Sequence, residues 1–254
     1  MKNVVFFGDS FAGSSKHIEY ATPQQFRELQ IRCWQDIVAQ RIKRYPVIHG
    51  YGGVGWWYSY RKLRSWIDLN PKSWENTDTM VFTLGMRHLP YVTDQDAVRA
   101  HLDGKYKALG HNIWVEDEFD VWVYEKFIDE LIEWSKTRKV VVFYNFRQEC
   151  WLVNKLKDHV AICLLPLMYL TCAEADLALG RIEYVPNQAN HFNDLNNLGL
   201  ANEIHKQLIR NKPGMFMLDP ANFDLKRPDY FDQWVDIDYN YTLEQVYLTK
   251  INKL

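Results

Sequence analysis

Apolar runs closed by glycine or polar residues recur along this chain and alternate with stretches whose apolar positions repeat every three or four residues. Val4 to Phe7 is a β-branched and aromatic run ended by Gly8, the pattern of a buried parallel strand. Thr22-Pro23 places a cap residue before a proline at a first helical position. Phe26, Leu29, Cys33, Trp34, Ile37 and Val38 then follow at helical spacing, predicting a helix to about Lys43. Tyr45 to Ile48 reads as a second strand. It leads into the glycine-rich His49-Gly50-Tyr51-Gly52-Gly53-Val54-Gly55 and an aromatic helix with Trp56, Trp57 and Trp66. Thr79 to Leu84 is a third strand, closed by Gly85.

Phe119, Trp122, Val123, Phe127, Leu131 and Trp134 define one face of a helix. Lys139 to Tyr144 and His159 to Leu165 are a fourth and a fifth strand. Asp194 to Ile209 carries Leu198, Ala201, Ile204, Leu208 and Ile209, which suits a closing amphipathic helix. Strand and helix thus alternate throughout, which predicts an α/β protein, a three-layer α/β/α sandwich around a five-stranded parallel sheet. Residues 1–212 form one domain in this reading, with a weakly periodic, irregular insertion at about 91–115. Beyond Lys212-Pro213-Gly214 the chain turns aromatic and acidic, as in Asp229-Tyr230-Phe231-Asp232 and Asp236-Ile237-Asp238-Tyr239. Residues 213–254 are therefore expected as an extension outside the sheet. Two readings of it stay open: it wraps the domain, or it docks on a protein partner or a second copy.

Composition narrows the function classes. With 254 residues, 47% hydrophobic and 24% charged, the chain is long enough to bury a full core. A formal net charge of −2 gives no basic field for a phosphate backbone, so no nucleic-acid partner is expected. Cys33, Cys150, Cys163 and Cys172 form no C-x-x-C pair, which argues against a zinc site or a disulfide framework and for synthesis in a reducing cytoplasm. The first apolar run is too short for a signal-peptide core, and no run approaches the roughly 18 apolar residues of a membrane span. No membrane partner is expected.

In an open parallel sheet, ligands sit at the carboxyl ends of strands. Four segments qualify: Gly8-Asp9-Ser10, Gly50 to Gly53, Gly85 to His88, and His191 before the last helix. A serine at a strand-to-helix turn is held exposed with backbone N–H groups nearby, and Gly53 adds an N–H donor with no side chain in the way. His49, His88 and His191 have no i, i+4 ligand spacing, so neither metal nor cofactor is expected. Trp56 and Trp57 have two readings, stacking on a sugar ring or forming the core of their helix, and the core reading is the favoured one.

Over about residues 3–210 these blocks resemble the SGNH (GDSL-type) serine hydrolase family. Gly8-Asp9-Ser10 matches its first block, and Ile48-His49-Gly50-Tyr51-Gly52-Gly53 its glycine loop. His191-Phe192-Asn193-Asp194-Leu195-Asn196-Asn197 is similar to the histidine block of phage-encoded members. The resemblance implies a flavodoxin-like SGNH fold and an ester hydrolase working through an acyl-enzyme. Ser10 is then the nucleophile, His191 the base, and the N–H groups of Ser10 and Gly53 the oxyanion donors. A small ester or acetylated carbohydrate is the substrate class this implies.

Two positions depart from the family. Arg87 stands where the third block has an asparagine donor, so Arg87 or His88 would have to serve the oxyanion. Gln188 stands where an aspartate orients the histidine; Gln188 itself, a backbone carbonyl, Asp194 and Glu183 are the open alternatives. Together with the aromatic tail, these departures motivate a competing reading, a catalytically weak SGNH-like structural or carbohydrate-binding module, as in a virus particle. A flavodoxin-like nucleotide binder is the least favoured, because the first loop lacks phosphate-cradling glycine spacing.

Overall fold

The computed structural model describes residues 1–13, 33–51, 56–84, 118–145, 150–170, 192 and 194–223. Its strands are β1 (Asn3–Gly8), β2 (Tyr45–Gly50), β3 (Thr77–Leu84), β4 (Lys139–Tyr144), β5 (Ala161–Cys163) and β6 (Gly214–Phe216). The helices are α1 (Trp34–Ile42), α2 (Trp56–Leu69), α3 (Pro71–Glu75), α4 (Glu118–Ser135), α5 (Cys150–Leu156) and α6 (Asp194–Arg210). Short 3-10 turns follow β1 at Ser10–Ala12 and β5 at Leu167–Leu170. The six strands form one sheet in the order β2-β1-β3-β4-β5-β6, and every neighbouring pair is parallel.

The α/β class and the parallel sheet agree with the sequence reading; the strand number does not. A sixth strand, Gly214–Phe216, joins the edge of β5, in a region expected to lie outside the sheet. It is anchored by the Gly214 N–H donating to the Val160 carbonyl and the Leu164 N–H donating to the Phe216 carbonyl, both at 3.0 Å. Three residues carry too little periodicity to be read as a strand.

Alternation along β1 explains its composition. Val4 and Phe6 enter one apolar cluster with Trp34 and Val38 of α1 and Leu200 and Ile204 of α6. Val5 and Phe7 enter a second cluster with Leu63 and Ile67 of α2, Phe127 and Leu131 of α4, and Leu152 of α5. All six residues of β1 are buried, as suits an interior parallel strand whose side chains divide between two apolar clusters. Burying a side chain such as Phe6 stabilises the fold by about 2–3 kcal/mol.

β4 matches its expected limits, whereas β2 and β3 each run two residues further than the pattern indicates, to Gly50 and back to Thr77. The first expected helix is seen from Trp34 to Ile42, with Lys43 in the left-handed region (φ 54°) closing it. Cys33 is extended (φ −68°, ψ 151°) and forms its N-cap, so the helix does not run through Cys33 as expected, and the expected beginning at Thr22 lies outside the described residues. The same holds for the insertion at 91–115 and for the chain after residue 223.

Candidate functional site

The carboxyl ends of β1, β2, β3 and β4 lie along one edge of the sheet. Between β1 and β3 the strand order reverses, since β2 flanks β1 on one side and β3 to β6 continue on the other. Such a switch point opens a crevice in which ligands of parallel sheets bind. Gly8-Asp9-Ser10 is the segment that leaves β1 at this crevice.

Close packing dictates glycine at the end of β1. A Cβ on Gly8 would lie 2.0 Å from Thr83 Oγ1 and 2.5 Å from the Thr83 carbonyl oxygen on β3. The Gly8 carbonyl accepts a 2.6 Å bond from the buried Ser59 hydroxyl of α2, and Thr83 Oγ1 donates to the Phe7 carbonyl at 3.4 Å. Asp9 is buried, and its Oδ1 accepts the Phe11 N–H at 3.0 Å. Its carbonyl accepts the Ala12 N–H at 3.1 Å. This is the local side-chain bonding that favours aspartate at turns. Because a trans peptide holds its C=O and N–H opposed, engaging the Asp9 carbonyl with Ala12 aims the Ser10 N–H the other way.

The glycine-rich loop begins against this turn. A Cβ on Gly50, the last residue of β2, would stand 2.2 Å from the Ala12 carbonyl carbon and 2.4 Å from the Gly13 nitrogen. Backbone meets backbone here, which only glycine permits. Tyr51 follows, half-buried, with its ring edge-on to Tyr58 at 5.2 Å.

Phe192, the residue after His191, packs against the turn that leaves β1. Phe192 is fully buried, and its ring lies 5.6 Å from that of Phe11, the residue after Ser10. The structure thus brings together the residues that follow the expected nucleophile and the expected base. Of the expected site residues, Ser10 begins the 3-10 turn, while its side chain lies outside the described residues. Gly53, Arg87, His88, Glu183, Gln188 and His191 lie outside them as well.

Two polar residues at this edge, His49 and Asn145, gave no sign of their burial in the sequence. His49, on β2 beside Gly50, packs on Trp66 at 5.5 Å, and neither ring nitrogen has a hydrogen-bond partner among the described residues. Burial pushes its imidazole down to about 4, so it is neutral near pH 7. Asn145, just past β4, continues the ladder by donating its N–H to the Leu84 carbonyl at 2.9 Å, and its Nδ2 reaches the Thr83 carbonyl at 3.4 Å. A strand-end asparagine or histidine reads as loop in a sequence, and only the register of the neighbouring strand reveals its burial.

Trp56 follows the core reading: it is buried, stacked on Phe127 and edge-on to Tyr124. Trp57 is half-buried against Trp56 and Tyr60. Among the described residues, no group of three or more His, Cys, Asp or Glu side chains is placed to hold a metal ion. No described helix is long and apolar enough to cross a membrane. No protein-family model, curated protein or solved structure matches the chain.

Proposed function

We propose that the protein is a serine ester hydrolase of SGNH type, with the three-layer sandwich of that class, Ser10 as nucleophile and His191 as base. The observation that carries the reading is the Phe11–Phe192 contact at the β1/β3 switch point, which joins the two chain segments bearing these residues. The Ser10 hydroxyl attacks an acyl carbonyl carbon while His191 takes its proton. The Ser10 N–H, with that of Gly53, stabilises the oxyanion. His191 returns the proton to the departing alkoxide, and water then hydrolyses the acyl-enzyme with His191 again as base. The short acyl group of an acetylated carbohydrate is the proposed substrate.

The test is covalent labelling by a fluorophosphonate, read by intact mass, with hydrolysis of a short-chain aryl ester. Wild type is expected to take one adduct and Ser10→Ala none. Ser10→Ala and His191→Ala should each lower kcat by roughly 10³-fold or more. A folded wild type that neither labels nor hydrolyses overturns the esterase reading and favours the structural module suggested by Arg87 and Gln188.

A further inference from the structure

We propose that Trp34 and Asn197 are positioning residues that fix the chain after Ser10 relative to the chain after His191, an inference that rests on the Ser10–His191 reading above. Phe11, directly after Ser10, offers its carbonyl to two buried donors of α1: Trp34 Nε1 at 3.0 Å and Gln35 Nε2 at 3.3 Å. Gln35 Nε2 also donates to the Gly13 carbonyl at 2.8 Å, so the turn is held at its middle and just past its end. The backbone N–H of Trp34 donates to Asn197 Oδ1 of α6 at 3.0 Å. Asn197 Nδ2 in turn donates to the Phe192 carbonyl at 3.0 Å, directly after His191.

The span therefore runs from Phe11 through Trp34 and Asn197 to Phe192, and the Phe11 and Phe192 rings close it at 5.6 Å. All four residues are buried, where hydrogen bonds hold geometry best and are costly to break. Capping α1 does not by itself explain the residue type at 197. Cys33, at the cap position, makes no side-chain capping bond to α1, and a carboxylate would accept from the helix N-terminus at least as well as an amide. A carboxylate could not also donate to the Phe192 carbonyl, whereas the Asn197 amide both accepts from Trp34 and donates there. Its second bond adds nothing to the helix and fixes the segment that carries the base.

The experiment compares fluorophosphonate labelling rates and the kcat and KM of an aryl ester for wild type, Asn197→Asp, Trp34→Phe and the double variant. Asn197→Asp keeps the acceptor for Trp34 and removes the donor to Phe192. Trp34→Phe keeps a ring in the core and removes the shorter of the two hydrogen bonds to the Phe11 carbonyl, leaving that of Gln35. Each single change is expected to lower kcat and the labelling rate by about 10²-fold, with KM within about 2-fold, as misplaced reacting groups do. The double variant should be hardly slower than the slower single, because both break one span. Wild-type labelling rates in the folded single variants, or losses that multiply in the double, overturn the proposal. If Asn197→Asp fails to fold, the Trp34→Phe rate decides alone. A wild type that does not label removes the Ser10–His191 reading and this inference with it.

Discussion

At the scale of single residues, the edge of the sheet holds one side chain whose chemistry follows from burial alone. An unhindered imidazole titrates near 6.5, and in the folded protein His49 is pushed down to about 4. Between those values the unfolded chain takes up a proton that the folded one refuses, so stability is full above pH 6.5 and falls as the pH drops towards 4. A gap of this size corresponds to about 3 kcal/mol. Urea unfolding at pH 7.0, 5.5 and 4.5 should register that loss in the wild type, and His49→Phe should lack this part of it. An equal acid sensitivity in the variant would assign the effect to other groups. None of this was legible in the sequence, where His49 stood as the first residue of a glycine loop; β2 extends over it and Trp66 covers it. Asp9 was legible only as part of a motif. Its side-chain bond to the Phe11 N–H shows what a carboxylate does for the turn.

At the scale of elements, legibility followed length and apolar density. β4 is a run of Val and Phe, buried from its second residue onward, and its limits were readable to the residue. Strand β6 is three residues with one buried side chain, and α5 is seven residues followed within a few positions by β5. Neither has enough repeats for a period to emerge. The same geometry separates two adjacent residues of β6. Phe216 is buried, edge-on to Phe143 at 5.8 Å, whereas Met215 is 47% exposed. Phe216→Ala should destabilise by about 3–5 kcal/mol and Met215→Ala by less than about 0.5 kcal/mol, both read from urea midpoints at constant slope. Similar small losses for both would mean that β6 contributes little to the sheet and that residues after 212 are an appendage, as the sequence alone suggested.

At the scale of the molecule, β1 joins everything else. It is the first strand in the chain yet sits inside the sheet, between β2 and the β3–β6 side, and it feeds the switch point on which the catalytic proposal depends. The alternation of strands and helices made the class of fold legible. The position of β1 was not, since strand order is set by which faces and edges bury one another across the whole chain. Its side chains divide between the two apolar clusters, Phe6 lying edge-on to Trp34 at 5.3 Å and Phe7 lying 5.3 Å from Phe127. A strand shared in this way should couple the clusters, so that neither can melt while the other stands. Denaturation followed by tryptophan fluorescence, which reports Trp34 on one side and Trp56 and Trp134 on the other, should coincide with far-UV circular dichroism. Phe6→Ala should shift both curves together, by about 3–5 kcal/mol, although its ring touches only one cluster. Curves that separate in the variant would show that the two faces unfold independently. The switch point would then lie between two movable halves rather than on one rigid sheet, and the geometry that brings Phe11 to Phe192 would no longer be fixed by the fold.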